Sequence, residues 1–294
     1  MKPSRSEWVS VRGMRLHVRH WGDAAAPALF MLHGWMDTSI TFQFVVDAFK
    51  RNWHVIAPDW RGFGHSDWSA SGYWFPDYLG DLDALLHHFS PDKPVYLLGQ
   101  SMGGNVANVY AGVHPDRVSR LVSLEGYGTM RAHADSAPDR YAQWLSALQK
   151  SYRIKAYASL DEIRRRVKRN NPRLTEERAD FIARHWAKQN EKGEWFILAD
   201  PLHRRINPVM SRMDELLACW SRITAPTLWL DGEWSLLGTR MGDDALARAE
   251  IKRRAAVIRN VRVVTVKAAG HMIQHDQPDK VAELVESFLF EQET

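Results

Sequence analysis

The sequence predicts a mostly parallel α/β sheet flanked by helices and interrupted by a helical insertion. Three observations predict it. Short continuous apolar runs, such as Ala28–Leu32 and Val118–Leu124, recur along the chain with segments of helical period between them. That rhythm stops near Gly126 and resumes after Arg222. A glycine-rich turn, Gly99-Gln100-Ser101-Met102-Gly103-Gly104, joins one apolar run to the helical segment that follows it. Strands alternating with helices of this length form βαβ units, whose crossovers leave parallel neighbours.

Each element follows from its local pattern. Val9–Val11 and Arg15–Trp21 alternate apolar and polar about Gly13, as in a hairpin with one wet face. Ala28–Leu32 reads as a strand buried on both faces. Ser39–Lys50 carries Phe42, Val45, Val46 and Phe49 at helical spacing. Trp53–Ala57 is a strand, closed by Pro58 and a turn-rich loop over 59–69. Phe75–Phe89 is helical, Val95–Leu98 a strand, Met102–Val113 helical and Val118–Leu124 a strand. Residues 126–222 show helical patterns and many charges but no convincing parallel strand. Thr227–Leu230 (strand), Asp243–Val257 (helix), Val261–Val266 (strand) and Val281–Glu291 (helix) resume the alternation. Neither outer part holds a whole sheet. Residues 1–125 and 223–294 are therefore expected to fold as one eight-stranded domain, with 126–222 as an inserted helical lid.

Composition narrows the class. The 294 residues are 45% apolar and 25% charged, which excludes a mainly disordered or collagen-like chain. The single cysteine, Cys219, permits neither an internal disulfide nor a cysteine-only zinc site. No apolar leader opens the chain, and no run nears the roughly 20 apolar residues that span a bilayer. These features set the expectation of a cytoplasmic protein with no membrane partner. A net charge of +4 is too small to indicate nucleic acid. Nothing in the sequence selects an oligomeric state. The chain holds 13 tryptophans, more than its phenylalanines or tyrosines.

In open α/β sheets, ligands bind beyond the carboxyl ends of the strands. There the turn reads G-x-S-x-G between a strand and a helix. So tight a turn forces Ser101 into a strained backbone and leaves its hydroxyl free at a helix N-terminus. A serine hydroxyl needs a base. His271, directly after the last strand, is the candidate, and serine-first, histidine-last order suits this arrangement. His275 is the rival, and needs no role beyond packing. His33-Gly34-Trp35 follows the third strand. His33 could pass for a base, but reads better as a buttress of its loop. Candidate oxyanion donors are the backbone N–H groups of Trp35 and Met102.

These segments bring the chain to a family. His33-Gly34-Trp35, the loop over 59–67, the turn over 99–104 and the segment over 269–278 make the sequence resemble the α/β-hydrolase superfamily along nearly its whole length. The segments over 33–37, 121–128 and 193–201 make it most similar to the serine hydrolase-like, esterase-type group. The resemblance implies an acyl-enzyme on Ser101 with His271 as base, and no metal or organic cofactor. It also implies that the dehalogenases and epoxide hydrolases of this fold, which attack with aspartate, are not the model for Ser101.

One position departs from the family pattern. The triad acid usually follows the strand after the insertion as G-x-x-D, and here that place holds Ser235. Glu125, at the end of strand Val118–Leu124, is the favoured replacement, since some superfamily members carry their acid there. Asp231 is the alternative and Glu233 a third candidate. The expected function is cleavage of an ester, thioester or lactone. A cofactor-free perhydrolase or a carbon–carbon bond hydrolase would be the alternative enzyme. A ligand-binding, receptor-like protein is the alternative of another class, favoured only by the missing aspartate. Nine of the 13 tryptophans fall on segments expected to face or close the pocket. Trp35, Tyr127 and Trp234 are the candidate substrate contacts, for a small hydrophobic or aromatic acyl substrate. A basic run, Arg164-Arg165-Arg166-Val167-Lys168-Arg169, reads as a solvated helix face or, more sharply, as an attractor of anionic substrates.

Overall fold

A computed structural model describes residues 1–130, 133–209 and 212–291. The strands are β1 (Ser4–Val11), β2 (Met14–Trp21), β3 (Ala28–Leu32), β4 (His54–Pro58), β5 (Val95–Gln100), β6 (Val118–Leu124), β7 (Ala187–Gln189), β8 (Trp195–Ile197), β9 (Thr227–Trp234) and β10 (Val261–Gly270). The helices are α1 (Gln43–Ala48), α2 (Phe75–Phe89), α3 (Met102–Val113), α4 (Ala137–Leu148), α5 (Leu160–Asn170), α6 (Glu176–Trp186), α7 (Met213–Trp220), α8 (Leu236–Met241), α9 (Asp244–Ala255), α10 (Ile273–Asp276) and α11 (Pro278–Leu289). Among the described residues, no helix is long and apolar enough to cross a membrane.

Eight strands form one sheet in the order β1-β2-β4-β3-β5-β6-β9-β10. The β1–β2 and β2–β4 pairs are antiparallel; the remaining pairs are parallel. The alternation of side chains sorts the core into two layers. Leu97, Leu121 and Trp229 face one layer, with residues of α2, α3, α7 and α9. Leu98, Val122 and Leu228 face the other, with α1 and α11. Continuous apolar runs were the right signal here because both faces of these strands are covered.

The last two strands run past their apolar stretches. β9 continues through Asp231 to Trp234, and β10 to Gly270 with a register shift after Val266. Ladder hydrogen bonds and side-chain partners hold these polar residues, so hydropathy alone stops short.

Between β6 and β9 lie α4, α5, α6 and the small antiparallel hairpin of β7 and β8. The expected lid contained helices only; the hairpin is an addition. The remaining helix of that span, α7, packs along α3 on the flank of the sheet. A Cβ added at Gly112 would come 1.9 Å from the Cys219 carbonyl oxygen, and Trp220 is fully buried against Trp229. Residues 126–222 thus include one helix that does not cover the strand ends.

This contact yields a prediction. Alanine is the better helix former, by roughly 1 kcal/mol. Gly112→Ala should nonetheless destabilise the protein by about 1–3 kcal/mol, since backbone must move to admit the methyl group. Urea denaturation measures it, and an equal or raised midpoint would contradict the close α3–α7 approach.

Candidate active site

The site begins with a turn that admits no side chains. β5 ends at Gln100 and α3 starts at Met102, leaving Ser101 between them at φ 52° and ψ −114°. That conformation is strained for any residue with a Cβ. Here it is enforced by close contacts. A Cβ at Gly99 would lie 2.3 Å from the Gly103 carbonyl oxygen, and one at Gly103 would lie 2.1 Å from that of Leu32. The Ser101 N–H donates to the Leu124 carbonyl at 2.8 Å, tying the turn to the end of β6.

β10 delivers His271 to this turn. Its Nε2 lies 2.9 Å from Ser101 Oγ, and its Nδ1 lies 3.0 Å from Glu125 Oε2. Glu125 directly follows β6, at φ 53°, and is fully buried. A buried carboxylate needs donors. Oε1 accepts from the Gly232 N–H at 2.8 Å. Oε2 accepts from the Ser235 hydroxyl at 3.0 Å and the Leu236 N–H at 3.4 Å. Ser235, the residue found where the family carries an aspartate, therefore donates to the glutamate that reaches His271.

The other two acids lie elsewhere. Asp231 faces β10, where its Oδ2 accepts from the Thr265 hydroxyl at 3.1 Å, and burial pushes its carboxyl up to about 6. As the alternative partner of His271 it is corrected: the strand turns its side chain along the sheet, while Nδ1 is shared with Glu125. Glu233 accepts from the Ala268 N–H at 2.9 Å and pairs with Lys267, bracing the irregular stretch of β10.

Further residues hold these groups in place. The Gln100 amide donates to the His271 carbonyl at 3.1 Å. Asp276 accepts from the Gly270 N–H at 2.8 Å, from Arg173 Nε at 2.7 Å and from Asn171 Nδ2 at 2.6 Å. It thereby ties the histidine loop to the segment after α5. Sequence reasoning missed both; only their adjacency to Ser101 and His271 marked them.

His33 has both ring nitrogens committed. Nε2 accepts from the Trp60 N–H at 2.9 Å, so Nδ1 carries the proton and donates to the Gly34 carbonyl at 2.7 Å. Trp60 Nε1 donates back to the His33 carbonyl at 2.9 Å. Burial lowers the imidazole to about 4, despite the opposing charge of Asp59. His33 is thus a neutral brace of the loop that presents Trp35. His275 bonds Thr41 Oγ1 at 2.7 Å and is lowered by burial to about 4. At the start of α3, the Met102 N–H belongs to the first-turn donors that no carbonyl of the same helix can satisfy.

A cavity of 380 Å³ is lined by Trp35, Met36 and Met272, which follow Gly34 and His271 in the chain, and by residues of the inserted span such as Arg166, Trp186 and Ile197; Ser101 and His271 are not themselves among its lining. Trp35 lines it as expected. Tyr127 and Trp234, the other two expected substrate contacts, are not among its lining residues. Tyr127 is packed in the core 6.4 Å from the His271 ring, and its carbonyl accepts from Arg254. Trp234 sits under the Arg173 guanidinium at 5.5 Å. Of the 13 tryptophans, Trp35 and Trp186 line the cavity, whereas Trp60, Trp220 and Trp229 are fully buried core.

Comparison with known proteins places this geometry. Residues 27–278 match a family model described as alpha/beta hydrolase fold. A serine hydrolase-like protein of Danio rerio is 25% identical over 293 residues, covering 96% of this chain and 86% of that one. Epoxide hydrolase 1 of Siraitia grosvenorii is 25% identical over 317 residues, covering 96% of each. Among solved structures, a thioesterase domain from the curacin biosynthetic pathway superposes with a TM-score of 0.84 at 20% identity, covering 97% of this chain and 99% of that one.

The His33 brace has a pH signature. The unfolded chain takes up a proton near 6.5 at this position, while the folded chain resists until about 4. Stability from His33 is therefore full above the unfolded value and is lost as pH falls through this window, by up to roughly 3 kcal/mol. Asp37 and Asp231, both raised by burial to about 6, act in the opposite sense over part of the same range. His33→Asn should therefore flatten the fall in urea midpoint between pH 6.5 and 4.5 relative to the parent protein. An unchanged slope would show that His33 does not resist protonation in the fold.

Proposed function

The chain belongs to the alpha/beta-hydrolase fold family, and from that premise we propose that it is a serine hydrolase cleaving the ester or related acyl bond of a small molecule. The observation that carries this reading is the unbroken relay Glu125–His271–Ser101, at 3.0 and 2.9 Å. In the proposed cycle, Ser101 Oγ attacks the acyl carbon while its proton passes to His271 Nε2. The oxyanion is held by the N–H groups of Trp35 and Met102. His271 then protonates the leaving group as it departs, and water, deprotonated by the same nitrogen, releases the acid from Ser101. Glu125 orients the ring and stabilises its charged form.

The supports differ in kind. The nucleophile position holds a hydroxyl, so an alkyl-enzyme ester on a carboxylate, the aspartate chemistry of this fold's epoxide hydrolases, has no group to form on. A binding-only reading drew on the absent aspartate, and Glu125 in contact with His271 takes that motive away. We read the span from 126 to 209 as the cap over the site, and α7 as part of the sheet domain.

Folded protein should react with a fluorophosphonate probe at Ser101, and Ser101→Ala should not. Glu125→Gln should lower kcat on p-nitrophenyl butyrate by about 10²–10⁴-fold, in line with loss of the acid from a serine triad. Asp231→Asn should stay within about tenfold of the parent. The opposite ranking of the two variants would overturn the assignment of the acid, and absence of labelling would overturn the hydrolase reading.

A further inference from the structure

The cavity that reaches the active-site loops through Trp35 and Met272 carries an imbalance of charge. Its lining includes Lys155, Arg166 and Arg204, and one carboxylate, Asp37. None of the three cations pairs with a carboxylate among the described residues. Arg166 is half-buried, and Lys155 and Arg204 are exposed at the cavity's rim, so none bears a full burial cost, and each is left with its charge uncompensated.

Helix α5 shows that the arrangement is selective. Its basic run splits by face. Arg164 pairs with Asp161 and Glu176, Arg165 with Asp161, and Lys168 with Glu176. Arg166 flanks the buried Ile163 and Val167 on the side away from Arg164, and lines the cavity. There its guanidinium bonds the Tyr157 hydroxyl and lies 5.6 Å over the Trp186 ring. One N–H of five is engaged in that bond, which fixes the planar group with donors to spare. Lys155 sits 5.0 Å over the Tyr157 ring, on the same wall.

Asp37 does not cancel this charge. It follows Trp35 and Met36 in the chain, on the sheet-domain side of the lining, and forms no ion pair with the three cations. Its Oδ1 accepts from the Thr38 N–H at 2.9 Å, and burial raises its carboxyl to about 6.

We propose that this cavity recognises a carboxylate at the far end of the substrate's acyl chain, held by Arg166 with Arg204 and Lys155. The preferred substrate class is then a monoester of a dicarboxylic acid, or an ester acid of similar shape. This rests on the acyl-transfer reading above. Apolar walls from Trp35, Met272 and Ile197 suit the methylenes between ester and carboxylate. A guanidinium presents paired N–H groups that match a carboxylate edge. At 380 Å³ the cavity is near the lower limit for small-molecule sites, a size that suits a short acyl chain.

Binding and turnover test it separately. On the Ser101→Ala protein, calorimetry would compare monomethyl hexanedioate with methyl hexanoate, its uncharged counterpart. The anion should bind at least tenfold tighter, and the preference should shrink severalfold between 50 and 500 mM salt. Arg204→Gln should reduce it, and Arg166→Gln combined with Arg204→Gln should abolish it while binding of methyl hexanoate stays within threefold. Equal binding of the two ligands to the protein with both arginines intact overturns the proposal, whether or not any variant folds. In turnover, p-nitrophenyl monoesters of succinic, adipic and suberic acids should exceed their neutral analogues in kcat/KM. A preference instead for acyl-coenzyme A thioesters, lost with the same arginines, would overturn the acyl-side placement. Failure of the underlying hydrolase reading shows independently, as no labelling of Ser101 and no turnover of p-nitrophenyl butyrate.

Discussion

The close approach of β3, β5 and the start of α3 is the constraint from which the rest of the site follows. Gly99 meets Gly103, and Gly103 meets Leu32, with no room for a side chain between them. The backbone of Ser101 has to turn left-handed to make that corner. The cost of the turn, on the order of 1–3 kcal/mol, is offset by the buried strands on either side. In return, the hydroxyl stands clear of the sheet at a helix start, and each neighbouring strand end is within reach of it. The sheet thus sets the geometry, and the loops need only supply side chains.

That division explains how the acid could move. β6 and β9 are adjacent, paired from Leu121–Thr227 to Leu124–Leu230, so their ends open on the same space beside His271. A glutamate from the end of β6 reaches the point that an aspartate from the loop after β9 would reach. The longer side chain makes up for starting one strand nearer to Ser101. What the β9 loop then has to provide is not charge but donors, because a buried carboxylate with open lone pairs would take up a proton or recruit water. Gly232, Ser235 and Leu236 provide them. A second carboxylate at 235 would face Glu125 across a hydrogen-bond distance, and the two could not both ionise. A serine at that position is the complement of Glu125.

Much of this was legible in the sequence, and the failures have physical reasons. The central strands were legible because they are covered on both faces and so read as apolar runs, and the β1–β2 hairpin because it alternates. The Ser101 turn, His271 and Glu125 stood out because each is a polar residue at the end of a buried strand, where packing alone would not put one, and the fold brings the three within hydrogen-bond distance. Helix α7 was expected within the lid; its packing on α3 at Gly112 is a contact no one-dimensional pattern contains, because an amphipathic helix shows the same period whether it covers a pocket or flanks a sheet. The tryptophans misled for a similar reason. Trp60 looks like a pocket residue from its loop, yet its indole serves as a donor to the His33 carbonyl in the core. An indole's depth is decided by what its N–H can reach.

The basic run of α5 makes the converse case. As a string it is five cations in six residues, and its average reads as solvated surface. As a helix, it buries Ile163 and Val167, with Arg164 and Arg166 flanking that stripe on opposite sides; Arg166 is the one on the cavity side. Its neighbours find Asp161 and Glu176 within reach, and Arg166 finds Tyr157, Trp186 and open space. On the acyl-transfer reading, the relay by itself would not choose among acyl substrates, and selection would fall to the wall built from the inserted span, where unpaired positive charge discriminates more strongly than a few indoles. Apolar contacts tell one methylene from the next by only about 1–3 kcal/mol, whereas a cation with no anion favours the substrate that supplies one.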